Sequence, residues 1–311
     1  MEKRVTEASA LRDFFHEQWA HLQKLVHKHH KVSDDELKNQ RQLSDAVEHI
    51  VDQVDTRIRG VHNYKKELRR SSAELIHCVQ SIVAQIPPAV VMDKNGYANS
   101  GSLMNAIFAS MGEVEQLVKG SDEVIKFSKE HRNSSEFGRY SPYFYALLFV
   151  VREDQQVFGN EIKEDILQKD IAQTAVNFYG HQLVAPSISE QDARLALETI
   201  LFDSTIVALR SNMVKLRHGH SHQEEIDAAL HPEQNINNPE VYLKVLSEQL
   251  SMPKSIISVQ SNMLRVNKMG IKLSVDSSER SNNFSFNEVG IGRAHSKVIS
   301  LVKIRYSDWD I

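Results

Sequence analysis

Between Leu43 and Ile82 the chain repeats a four-then-three spacing through Leu43, Val47, Ile50, Val54, Arg57, Val61, Tyr64, Leu68, Ser71, Leu75, Cys78 and Ile82. Most of these positions are apolar, and that spacing predicts one long helix with a coiled-coil seam. Ser33 and Glu36 stand at capping-box spacing before it, Asp34 and Asp35 add negative charge to its first turn, and Pro87 and Pro88 stop it. Unbroken from Asp34 to Gln85, it would be a rod of roughly 75 Å. Val51, Ile58 and Val79 widen the apolar stripe and favour bundle packing, whereas Arg57, Gly60 and Ser71 weaken it and point to a bend near 57–60.

An earlier segment, 6–30, sets Leu11, Phe15, Trp19, Leu22, Leu25 and Val26 on one face of an amphipathic helix. The short connection predicts a hairpin in which this helix covers the first half of the seam. It is too short to cover the rest. Val61, Tyr64, Leu68, Leu75 and Ile82 are therefore the expected interface with a second copy of the chain or a protein partner.

Helical patterning resumes over 103–119 and 121–131, and the character changes at Asn133. Residues 143–162 read as a hairpin with a polar turn at 153–156, and 166–178 and 182–184 as further strands. Ser187 with Glu190 opens a helix carrying Leu195, Leu197, Ile200, Leu209 and Leu216. A linker follows at 231–239, then a short helix over 239–250. Alternation through Leu264 and Val266, Ile271 and Leu273, Phe284 and Phe286, and Val298 to Tyr306 predicts several antiparallel strands. The expected fold class is α+β. A long-helix coiled-coil or helical bundle region (1–132) precedes a mixed region with antiparallel β-strands (133–311), with a sub-boundary near 231–239.

The formal net charge of -4 is uneven: 254–311 carries nine Lys and Arg against five Asp and Glu, so that tail is +4 and the rest is -8. One cysteine, Cys78, on a seam position, fits a buried structural thiol in a reducing compartment. No apolar run approaches membrane-spanning length, the most apolar stretch, 143–151, being too short. The expectation is a cytoplasmic protein without a membrane partner.

Fifteen histidines are present, and His218, His220 and His222 would point to one side of an extended backbone. Neutral imidazoles so placed suit zinc, copper or nickel, although cationic histidine at a helix end also serves as a plain terminator. His27, His29 and His30 end the first helix among lysines and have the same simple explanation. His181 reads as a hydrogen-bonded structural histidine. Neither the loop at 95–102 nor the Gly-Ile-Gly-Arg at 290–293 matches a nucleotide-binding pattern, and G-x-S-x-G, H-E-x-x-H and C-x-x-C are missing. Lys65, Lys66, Arg69 and Arg70 form a basic stripe, interrupted by Glu67 and Glu74, and Arg265, Lys268 and Lys272 lie in the basic tail. Such clusters are what phosphate binding requires.

The sequence therefore reads as a noncatalytic interaction or scaffold protein with no cofactor. Nucleic-acid binding through the basic groups is the first alternative. A metal-dependent enzyme built on His218, His220 and His222 is the second.

Overall fold

Instead of one rod, the helical seam forms two helices, α1 (Asp35–Val54) and α2 (Tyr64–Ala84). The computed structural model describes residues 35–93, 97, 103–132, 142–163, 166–218, 237–267, 269–274, 281–292 and 295–308. The expected first helix, 6–30, lies outside them. Asp55 breaks the rod: its carboxylate accepts from the Arg57 amide at 3.0 Å and pairs with the Arg57 guanidinium at 2.6 Å, opening a 3-10 turn over Thr56–Gly60. Asn63 then takes a left-handed φ of 62° at the start of α2. The weak seam positions near 57–60 thus end a helix, where the sequence suggested a bend.

The later seam is covered within the chain. Leu68 and Leu75 are fully buried and Ile82 is 4 % exposed, while Val61 and Tyr64 are partly buried against the same cluster. The cover comes from α6 (Glu190–His218) and α7 (Pro239–Leu250), which share that core through Leu197, Leu201, Leu209, Tyr242 and Leu246. Arg194 of α6 fixes the arrangement: its guanidinium donates to the Val83 and Ile86 carbonyls at 3.0 Å and to Pro87 at 3.1 Å, satisfying the open C-terminal end of α2. Glu190, at 2.8 Å, holds that guanidinium in place.

Three further helices, α3 (Leu103–Ile107), α4 (Met111–Gly120) and α5 (Asp122–Arg132), precede the main strands. Strands β2 (Tyr143–Lys163), β3 (Ile166–Ser187), β4 (Ile257–Val266), β5 (Asn282–Ile291) and β6 (His295–Arg305) form an antiparallel sheet ordered β3-β2-β6-β5-β4. The two-residue β1 (Val90–Val91) runs parallel to β6 at Val302 and Lys303. Alternate residues feed opposite faces. Leu147, Phe149, Val289, Ile299 and Leu301 pack against α1, α2, α6 and α7, and Phe144, Leu148, Val150, Phe284, Phe286 and Val298 pack against α3 to α5. The fold is α+β, and both expected regions contribute to both cores.

The polar run at 153–156 is not a turn. Glu153, Asp154, Gln155 and Gln156 pair in register with Asn177, Val176, Ala175 and Thr174, and β2 continues to Lys163. Polarity here reflects solvent on the ribbon, not a reversal. The register slips at three places, each inserting an extra residue into β3, and each slip coincides with a residue of positive φ: Asp170 (58°), Gly180 (65°) and Ala185 (54°). Such bulges bend and twist a strand. Those at Gly180 and Ala185 lie between the β6-paired part of the hairpin and the point where Val176 donates to Gly270 O at 2.9 Å and Lys272 donates to Thr174 O at 2.8 Å. Because Leu273 also bonds β4 at Arg265 and Ile271 bonds the adjoining Asn267, this short segment joins the two outer strands and closes the sheet around the second core.

Candidate binding surfaces

Two features of this sheet present groups to solvent in a form that can recognise something. The first is the outer part of the β2–β3 hairpin. β6 pairs with β2 only from Tyr143 to Val150, so 151–163 pair with β3 alone. On the other side, the 270–273 segment reaches β3 only near Thr174–Val176. What extends beyond is a two-stranded ribbon, 157–163 against 166–173, free at both edges among the described strands. Seven residues at strand rise give it a reach of roughly 23 Å. Phe158, opposite Ala172, is 80 % exposed, while Val157 and Ile171 are partly buried. A lone ribbon is marginal in water, and unpaired strand edges are templates for another chain.

The second feature is a cleft of about 500 Å³ at the seam where the sheet closes, lined by Tyr97, Asn105, Phe108, Glu113, Asn177, Phe178, Val266, Asn267 and Asn282 among others. Its walls are locally fixed. The buried Asn267 side chain accepts from the Met269 amide at 2.9 Å and the Ile271 amide at 3.0 Å, holding the turn in which Gly270 adopts a φ of +76°. Any side chain at 270 would also crowd the Val176 carbonyl oxygen, which would lie only 3.2 Å from its Cβ. Opposite, Ser110 caps α4, Glu113 accepts from the Ala109 amide at 2.9 Å, and the Tyr97 hydroxyl donates to Ala109 O at 3.0 Å. His181 stacks on Phe108 at 4.5 Å and its Nε2–H donates to Ile107 O at 3.0 Å, the structural role expected of it. Carboxamides, one carboxylate and aromatic rings, with no cation among the described lining residues, suit a neutral polar ligand better than an anion.

A third cluster couples helices. His49 on α1 donates from Nε2 to Asp203 Oδ1 on α6 at 2.8 Å, and the ring stacks on Phe202. The Asp203 hydrogen bond raises the His49 pKa above 6.5, against the opposing effect of burial. The other carboxylate oxygen, Oδ2, is buried without a partner among the described residues. Neither residue stands out in sequence: they lie 154 positions apart and carry no local motif.

The residues singled out from sequence are dispersed. Leu68, Leu75 and Ile82 are core, so the α2 seam offers these side chains to the chain's own helices; Val61 and Tyr64 border the same cluster. Lys65 pairs with Glu48 at 2.7 Å and Arg70 with Glu74 at 3.3 Å, while Lys66 and Arg69 are exposed on α2. Glu48, also bonded by Tyr64 and Arg59, is held at about 2, chiefly by the Lys65 hydrogen bond. Arg265 is engaged by Ser281 and the Ser274 carbonyl, Lys272 is exposed in the closing segment, and Lys268 lies outside the described residues. The two basic groups thus sit on different layers, α2 over the first core and Arg265 where β4 enters the second. His218 ends α6, with its side chain outside the described set together with His220 and His222. Cys78 is partly buried, and burial pushes its thiol pKa up. Among the described residues no helix is long and apolar enough to cross a membrane, and no group of three His, Cys, Asp or Glu could hold a metal. Comparison with protein-family models, curated proteins and solved structures finds no match to this chain.

Proposed function

We propose that this chain is a noncatalytic interaction protein that engages a protein partner through the projecting β2–β3 hairpin. The observation that carries this reading is the ribbon itself, which has two free strand edges and an exposed Phe158 with no covering element among the described residues. The expected interface on α2 gives way to it, because Leu68 and Leu75 already spend their apolar surface inside the chain. Site-specific photo-crosslinking tests it. A crosslinker at Phe158 of the full chain is expected to yield one protein adduct of defined mass, and one at the exposed Lys244 of α7 is not. Equal, diffuse labelling from both positions would refute the reading.

The cleft favours a second reading, a small neutral polar ligand such as a sugar or polyol, bound by Asn177 and Asn282 over Phe108 and Phe178. Neutral sugars are then expected to raise the melting temperature of the wild type and not of Asn282→Leu, with inorganic phosphate inert. Stabilisation by phosphate alone would exclude it.

A further inference from the structure

We propose that the free edge of β2 pairs antiparallel with the same edge of a second copy of this chain, centred on Phe158, so that two ribbons become one four-stranded sheet. This rests on the hairpin being the partner-binding element and adds what the partner is.

The two edges of the ribbon are not equivalent. All three register slips insert their extra residue into β3, so β2 runs regularly from Tyr143 to Lys163. Strand addition needs such a regular row of donors and acceptors. The β3 edge is broken by the bulge at Asp170 and occupied near Thr174–Val176 by the segment at 270–272. Bulges are one way an edge is made unfit for pairing. The edge that remains usable is 151–163 of β2.

The residues along that edge complement themselves. In a two-fold interface each residue i meets j while j meets i. Centring the pair on Phe158 sets Glu153 opposite Lys163, Gln155 opposite Glu161, Gln156 opposite Asn160 and Phe158 opposite itself, with no like charges facing each other. Alternate residues turn their N–H and C=O to the free edge, so the next register in one direction is centred on Val157, and it brings Glu153 against Glu161 on both sides of the axis, two repulsive pairs. The next register in the other direction is centred on Gly159, sets Phe158 against Asn160 and loses the aromatic pair. Directly opposed aromatic and opposite-charge pairs stabilise a sheet, and like charges destabilise it. Phe158, 80 % exposed in the single chain, gains a covering partner only in the centred register.

Sedimentation of the full chain over a hundredfold range of concentration tests the proposal. The wild type is expected to dimerise, and Phe158→Lys and Phe158→Glu each to weaken the dimer by roughly fivefold or more, because like charges then face each other across the two-fold axis. Mixing the two variants in equal amounts is expected to restore dimers, since lysine then meets glutamate. Melting curves check that these exposed-site changes leave the fold intact. A dimer indifferent to both substitutions, or a mixture no tighter than either variant alone, would overturn the centred pairing. A wild type that stays monomeric overturns self-pairing, and hydrogen exchange then separates the two ideas. Rapid exchange across 151–163 leaves the hairpin open to a different protein, whereas protection equal to that of 143–150 removes the hairpin reading as well.

Discussion

Replacing His49 by alanine tests the coupling of α1 to α6. The Asp203 side chain is 9 % exposed and that of His49 22 %, so the pair is largely out of water. A hydrogen bond to a charged group contributes about 2 kcal/mol net, and a buried carboxylate left without its donor costs about 1–3 kcal/mol more. Asp203 Oδ2 already lacks a partner among the described residues, so alanine at 49 would leave both oxygens unpaired. The expected loss is about 3 kcal/mol where His49 is charged, at the lower edge of what breaking a buried pair costs. The pH dependence has a definite sign. Asp203 raises the folded-state pKa of His49 above its usual 6.5. The folded chain therefore holds a proton that the unfolded chain releases between those two values. The stabilisation is complete below pH 6.5 and is lost as pH rises through the raised value. Urea unfolding of wild type and His49→Ala across a pH series reads this directly, with the gap widest in acid and narrower in alkali. A gap below about 0.5 kcal/mol, or one that does not change with pH, would refute the reasoning.

Leu75→Ala empties a fully buried site on α2 and is expected to cost about 2–5 kcal/mol. A loss relative to wild type that is the same at every protein concentration would confirm that the site is internal, and a loss seen only on dilution would restore an intermolecular seam. Glu48→Gln removes the negative charge, and one of the two acceptor oxygens, shared by Lys65, Tyr64 and Arg59, and with these groups partly or largely exposed the loss is about 1 kcal/mol. Because Glu48 is held at about 2, below its usual 4.5, its contribution is present above pH 4.5 and lost as pH falls toward 2. Acid titration of the melting temperature should show a shallower decline in Glu48→Gln, and parallel curves would count against the cluster.

Local chemistry determined much of this protein on its own. The helix at Pro239–Leu250 and a strand through 298–304 were readable from local pattern, and the structure adds that Asn238 caps the one and that the other is buried on both faces. The apolar stripe of α2 was equally clear, but a stripe states only that a face must be covered. Which element covers it depends on contacts such as Arg194 with the Val83 carbonyl, 111 positions apart, and these follow from the three-dimensional path of the chain. The polar run at 153–156 resembled a turn because solvent on a ribbon and solvent on a reversal select the same residue types. Closure of the sheet was hidden for a related reason: the two bulges that precede the closing contacts in space, at Gly180 and Ala185, share no residue type, and only Gly180 is a glycine. Neighbouring residues were enough to say where apolar faces run and where helices begin. Which faces meet, which strand edges stay free and where the cleft opens came only with the folded chain, because those depend on residues brought together across its whole length.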